Sequence, residues 1–131
     1  MSELIDNIKE WIEKADHDLG SAKVIYLHLP DYIDTIAFHC QQAVEKYLKA
    51  LLVYYHVEFM HSHDLIYLLE LLSKKIEIDD SKFKKAFSLN TFGVQIRYPN
   101  KIIKLTKEEI ESAIEISQEF RNFTVKEIEI E

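Results

Sequence analysis

Glycine and proline are nearly missing from this chain, with 2 of each in 131 residues, where an ordinary protein carries about 12% of the pair. Sandwiches and barrels need those residues for their many tight turns. Their scarcity argues against an all-β architecture and for long, uninterrupted helices. Cysteine is rarer still, and the lone Cys40 excludes an intramolecular disulfide. No apolar run reaches the roughly 20 residues that cross a bilayer, because Lys, Glu or His breaks every long stretch. The opening Met-Ser-Glu-Leu-Ile-Asp is acidic and lacks the basic region and apolar core of a signal peptide. The expectation is a soluble protein of the reducing cytoplasm, without membrane contact. Positive charge is short too. With 16 Lys and Arg against 23 Asp and Glu the net charge is −7, which excludes a uniformly basic nucleic-acid-coating surface and leaves room for a local cationic groove. Only Arg97 and Arg121 carry a guanidinium; every other fixed cation is a lysine.

What is present is core material. Hydrophobic residues make up 47% of the chain and aromatics 11%, beside 30% charged, the composition of one globular domain. From Ser2 to His28 the residues Ile5, Ile8, Ile12, Ala15, Leu19, Ala22 and Tyr26 recur at three- and four-residue steps, the spacing of one helical face. Gly20 inside that run costs about 1 kcal/mol relative to Ala, so it marks either a close neighbouring backbone or simple tolerance by a well-packed helix. Pro30 and Asp31 close the segment.

A second periodic run over residues 32–56 carries Ile36, Ala37, Cys40, Ala43, Val44, Tyr47, Leu48, Leu51 and Leu52 on one stripe, widened by Phe38, Val53 and Tyr54. So broad an arc predicts a central helix, or one whose extra face a second subunit covers. Gln42, Glu45, Lys46 and Lys49 read as its wetter side, with a Glu45–Lys49 salt bridge at four-residue spacing. Ser62 or Asp64 caps a third helix over 63–75, and Asp79, Asp80 and Ser81 open a shorter fourth with Phe83, Ala86 and Phe87. The pattern lapses over 90–105, around Gly93 and Pro99, an interval longer than bundle connections need. Thr106-Lys107-Glu108-Glu109 is a capping box opening a last helix to about Phe123. These elements predict an all-α, up-and-down bundle of four to five helices over residues 1–123, with a tail over 124–131.

Three stretches carry a family resemblance. Phe38-His39-Cys40-Gln41-Gln42-Ala43-Val44-Glu45-Lys46-Tyr47-Leu48-Lys49-Ala50 resembles the signature of the HEPN family, the higher eukaryotes and prokaryotes nucleotide-binding domains. His61-Ser62-His63-Asp64-Leu65 resembles that family's helix-opening segment, and Arg97-Tyr98-Pro99-Asn100 its late Arg-Tyr-Pro segment, in family order. The resemblance implies a HEPN-like bundle that pairs as a homodimer. It also implies one of two functions. One is a stand-alone, noncatalytic domain that binds a nucleotide or single-stranded RNA, or serves a small nucleotidyltransferase partner in a toxin–antitoxin-like module. The other is a metal-independent endoribonuclease toxin. In ribonuclease members four to six residues stand between an Arg and a following His, and this sequence departs from that: Ile102, Ile103 and Lys104 occupy those positions after Arg97, and Lys126, Glu127 and Ile128 after Arg121. The noncatalytic reading therefore leads, and the rival needs a relocated acid–base residue such as His63.

Each candidate residue carries two readings. Arg97 grips phosphate with its planar fork, or pairs with a carboxylate such as Glu45. His63 acts as acid, base or phosphate donor, or ties down the loop together with Asp64 as a helix cap. Tyr98 stacks on a base, or wedges its loop against the bundle. Gln42 and Lys46 organise a binding cleft, or lie on an exposed helix face. Arg121 reads as a solvated helix-end residue. His39, Cys40, His56, His61 and His63 lie close in sequence, but their spacing matches no zinc pattern, and no cofactor or metal is expected.

Overall fold

The computed structural model describes residues 2–90, 92 and 105–129, so Arg97, Tyr98 and the rest of the Arg-Tyr-Pro-Asn segment lie outside the described residues. Among these there are five helices and no strand: α1 Ser2–His28, α2 Ile33–Tyr54, α3 Leu65–Leu72, α4 Asp80–Asn90 and α5 Lys107–Ile128. α2 packs against all four others. The width of its apolar arc explains this: Ile36, Ala37, Cys40, Val44, Leu48, Leu51 and Leu52 are wholly buried and share one core with Leu65, Leu68, Leu69 and Leu72 of α3 and with Ile110, Ala113 and Phe120 of α5. A second, smaller cluster of Ala15 and Leu19 from α1 with Ala43 and Tyr47 from α2 closes the seam between the first two helices. Burial raises the Cys40 thiol to about 12, so it behaves as a small apolar residue. No helix among the described residues is long and apolar enough to cross a membrane.

The helix ends follow from local chemistry. Thr106 Oγ1 accepts from the Glu109 backbone N–H at 3.1 Å while Glu109 Oε1 accepts from the Thr106 N–H at 3.0 Å, the reciprocal box read from sequence. α2 stops in a Schellman motif: Val57 N–H reaches Leu52 O at 2.8 Å and His56 N–H reaches Val53 O at 3.1 Å, with His56 at φ 58° where glycine is the usual occupant. α3 is shorter than the expected 63–75. It begins only after its cap, Asp64, and past Leu72 the backbone tightens to three-residue steps such as Lys75 N–H to Leu72 O, 2.9 Å. α5 runs on past the expected end at Phe123, because Thr124 and Ile128 are buried against the bundle and Tyr55, just past the end of α2, donates to Glu127 Oε2 at 2.7 Å.

A Cβ built on Gly20 would meet nothing within 4 Å, so that glycine is tolerated rather than required. Gly20→Ala is expected to raise stability by about 1 kcal/mol, and His56→Gly by up to about 1 kcal/mol through relief of its left-handed backbone. Urea unfolding midpoints at unchanged slope check both.

Candidate functional site

The polar side chains of α2 do not form a wet face. Gln41 is wholly buried, Gln42 is 9% exposed, and Glu45 and Lys49 are 3% exposed each; the expectation of a solvated stripe is corrected for Gln42, Glu45 and Lys49. Four neighbouring helices leave little of the middle of α2 to water, so the charges there must find partners inside. The expected Glu45–Lys49 pair exists, at 3.0 Å between Nζ and Oε2, but as a buried contact rather than a surface one. Lys49 Nζ also sits 5.4 Å from the centre of the Trp11 ring on α1 and 6.0 Å from that of Phe59, so aromatic faces cover the ammonium.

Glu45 joins this pair to the start of α3. Its Oε1 lies 2.8 Å from His63 Nδ1 and accepts from Gln42 Nε2 at 3.3 Å. Gln42 Nε2 also reaches Gln41 Oε1 at 2.8 Å, and Gln41 Nε2 donates to the His63 carbonyl at 2.8 Å. An ion-paired carboxylate accepts only, so the proton of a neutral His63 ring belongs on Nδ1 and Nε2 is the acceptor. The His63 side chain is 40% exposed while that of Glu45 is 4% exposed: a buried carboxylate holds an imidazole at the surface. The His61 ring lies edge to face beside it, 5.2 Å between centres.

Asp64 is the cap of α3. Its Oδ1 accepts from the N–H groups of Ile66 and Tyr67 and from Asn90 Nδ2, and Asn90 Oδ1 accepts from the Leu65 N–H at 2.8 Å, which fastens α3 to the end of α4. The cap fixes the backbone from which His63 projects.

Lys46 turns elsewhere. With His39 it meets Asp18 of α1, His39 Nδ1 lying 2.7 Å from Asp18 Oδ1 and Lys46 Nζ donating to Oδ2. Two residues earlier on α1, Asp16 Oδ1 accepts from the Tyr47 hydroxyl and from Arg121 Nε, the latter at 2.9 Å. Arg121 is therefore not a solvated helix-end residue: it ties α5 to the α1–α2 seam with its side chain 37% exposed, and the hydrogen bond to Asp16 raises its pKa further. So Gln42, His63 and Asp64 come together at the α2–α3 junction, and Lys46 does not join them. Asp16, Asp18, Tyr47 and His39 were missed as partners. The only signal for them in sequence was that acids on α1 flank the apolar pair Ala15 and Leu19, facing an α2 too apolar to leave its charges in water.

A family model for the HEPN domain matches residues 8–128. The chain belongs to the HEPN family. The solved structures that share its fold include these two. One is TT1696 from Thermus thermophilus, at 26% identity and a TM-score of 0.79 over 91% of this chain and 96% of that one. The other is ST0689, an archaeal HEPN homologue, at 22% identity and a TM-score of 0.74 over 92% and 97%. No curated protein matches the sequence. In this HEPN chain the family-signature stretch of α2 supplies Gln41, Gln42, Glu45 and Lys49, and the His-Asp-Leu stretch supplies the imidazole they hold.

Removing one member of the buried ion pair leaves the other charge without compensation. Glu45→Ala is expected to cost about 3–5 kcal/mol, while the double change Glu45→Leu with Lys49→Met recovers most of it; thermal and urea unfolding of the wild type and both variants decide this. The tyrosines give a second check. Burial, with an added hydrogen bond to Glu127, raises Tyr55 to about 12, and burial beside Asp16 raises Tyr47 as well. A phenol whose folded pKa lies above its unfolded value of about 10 contributes stability below pH 10 that is lost as pH rises toward 12. Phenolate absorbance should therefore lag behind that of free tyrosine for both residues, and stability should fall across pH 10–12. Normal titration of all seven tyrosines would contradict it.

Proposed function

We propose that this HEPN chain is a noncatalytic cytoplasmic domain that works as a homodimer. It binds a phosphate-bearing ligand, a nucleotide or an RNA segment, and serves as partner to a small nucleotidyltransferase in a toxin–antitoxin-like module. The observation that carries the reading is the Glu45–His63 contact at 2.8 Å. A carboxylate fixed beneath an exposed imidazole occupies its Nδ1–H and leaves Nε2, which once protonated donates to a phosphate oxygen and brings a positive charge there. In this reading Arg97 and Tyr98 supply the guanidinium and the stacking face. Gln42 and Asp64 hold the imidazole's surroundings, and Lys46 serves the bundle through Asp18. The His that would follow Arg97 or Arg121 in a cleaving member is replaced at both places.

A second reading, a metal-independent endoribonuclease, is favoured by the neighbouring His61 and His63 rings, since cleavage through a 2′-hydroxyl needs one group to take a proton and another to give one. One experiment separates the two. Titration calorimetry with nucleotides and single-stranded RNA in chelator is expected to give saturable heats for the wild type, weakened about tenfold or more in His63→Ala and in Arg97→Ala, with the RNA intact. Equal and negligible heats reject the binding reading. Chelator-resistant cleavage lost in both His61→Ala and His63→Ala replaces it with the enzyme.

A further inference from the structure

His61 and His63 stand one residue apart just before the Asp64 cap and bring their rings together, 5.2 Å between centres. Their spacing in the sequence matches no zinc pattern, but spacing shows neither which way the rings turn nor what stands behind them. Behind His63 stands the buried Glu45, with Oε1 2.8 Å from Nδ1. That carboxylate is ion-paired with Lys49 and accepts only, so the proton of the neutral ring sits on Nδ1 and Nε2 keeps its lone pair, with no bond to any described residue. The nitrogens of the exposed His61 likewise bond to no described residue. A carboxylate on one ring nitrogen and an open lone pair on the other is the arrangement by which proteins orient, and make more basic, a histidine that binds a metal ion. Two imidazoles on one tetrahedral ion have centres about 5 Å apart, given a metal–nitrogen length of about 2.1 Å. The two rings already stand at that separation.

We infer that His61 and His63 form a two-histidine site for a divalent transition-metal ion, with Glu45 as the carboxylate that orients His63. Imidazole nitrogen suits zinc, nickel and copper, and not the oxygen-seeking magnesium or calcium. Among the described residues no group of three His, Cys, Asp or Glu side chains is placed to hold a metal, so the ion keeps water at its other positions. A site with open positions is weaker and more readily exchanged than one closed by four protein ligands. The inference uses the Glu45–His63 contact but not the phosphate reading. Zinc binds here without nucleotide or RNA, and the nucleotide titration is run in chelator, so either can fail while the other stands.

The test is calorimetry and ring-nitrogen NMR of the untagged full chain with zinc chloride and with magnesium chloride. Zinc is expected to bind saturably and to move the His63 Nε2 resonance and a His61 nitrogen resonance together, while magnesium does neither. His61→Ala and His63→Ala should each weaken zinc about tenfold or more, and Glu45→Gln by about tenfold to a hundredfold. His17→Ala, which removes an exposed imidazole 4.0 Å from Glu13 on α1, leaves the affinity unchanged. Because Glu45→Gln disturbs a buried ion pair, the surface change His61→Ala decides the matter should that variant fail to fold. The inference is overturned if zinc shows no saturable binding up to about 1 mM, if magnesium binds as tightly, if His61→Ala leaves the affinity as it was, or if His17→Ala weakens it as much.

Discussion

Everything at the α2–α3 junction depends on one constraint: Glu45 and Lys49 are buried together in the middle of the bundle. Two charges taken out of water at that depth persist only if each is paired and its remaining hydrogen-bonding capacity is used. Lys49 lies against Glu45 and the faces of two aromatic rings; Glu45 spends its second oxygen on His63 and Gln42. The chain of bonds then runs through Gln42 and Gln41 to the His63 backbone. The need to satisfy a buried carboxylate thus fixes the side chain and the main chain of the same histidine, with the Asp64 cap immediately after it setting the direction of α3.

The α1–α2 seam solves the same problem with the donors and acceptors exchanged. There α1 supplies the acids, Asp16 and Asp18, and the neighbouring helices supply the cations and hydroxyl: His39, Lys46, Tyr47 and Arg121. Contacts of this kind cost more to desolvate than apolar ones and add directionality in return. Packing of the small residues Ala15 and Ala43 beside the two acids brings the helices close enough for the short polar arms to meet. The result is a bundle whose helix register is set by paired charges as well as by its leucine core, and whose α5 is anchored at one end by a capping box and further along by Arg121 and Glu127.

Periodicity carried much of this architecture. The α1 limits from Ser2 to His28, the central place of α2 and the Thr106 box are all local patterns, so a window of a few turns contains the information. The face of α2 that holds Gln42 and Glu45 was misread for the opposite reason. A charged residue in a window looks solvated, and nothing within that window reveals a partner 18 residues away, as for Glu45 and His63, or 105 away, as for Asp16 and Arg121. The breadth of the apolar arc did hold the clue, because a helix apolar nearly all round forces its few charges inward. The end of α5 was misread because Val125 and Ile128, three apart among acids, look like imperfect alternation until Tyr55 and the buried Thr124 are seen to hold that turn in place.

The tautomer of His63 is the most direct measure of whether a buried carboxylate governs the exposed imidazole. Ring-nitrogen NMR at alkaline pH, where the ring is neutral, reads which nitrogen carries the proton. The account predicts a single Nδ1–H tautomer with a protected proton, since Glu45 can only accept. A ring protonated at Nε2, or a freely exchanging mixture of the two forms, would show that Glu45 does not hold His63 and would remove the basis of the site.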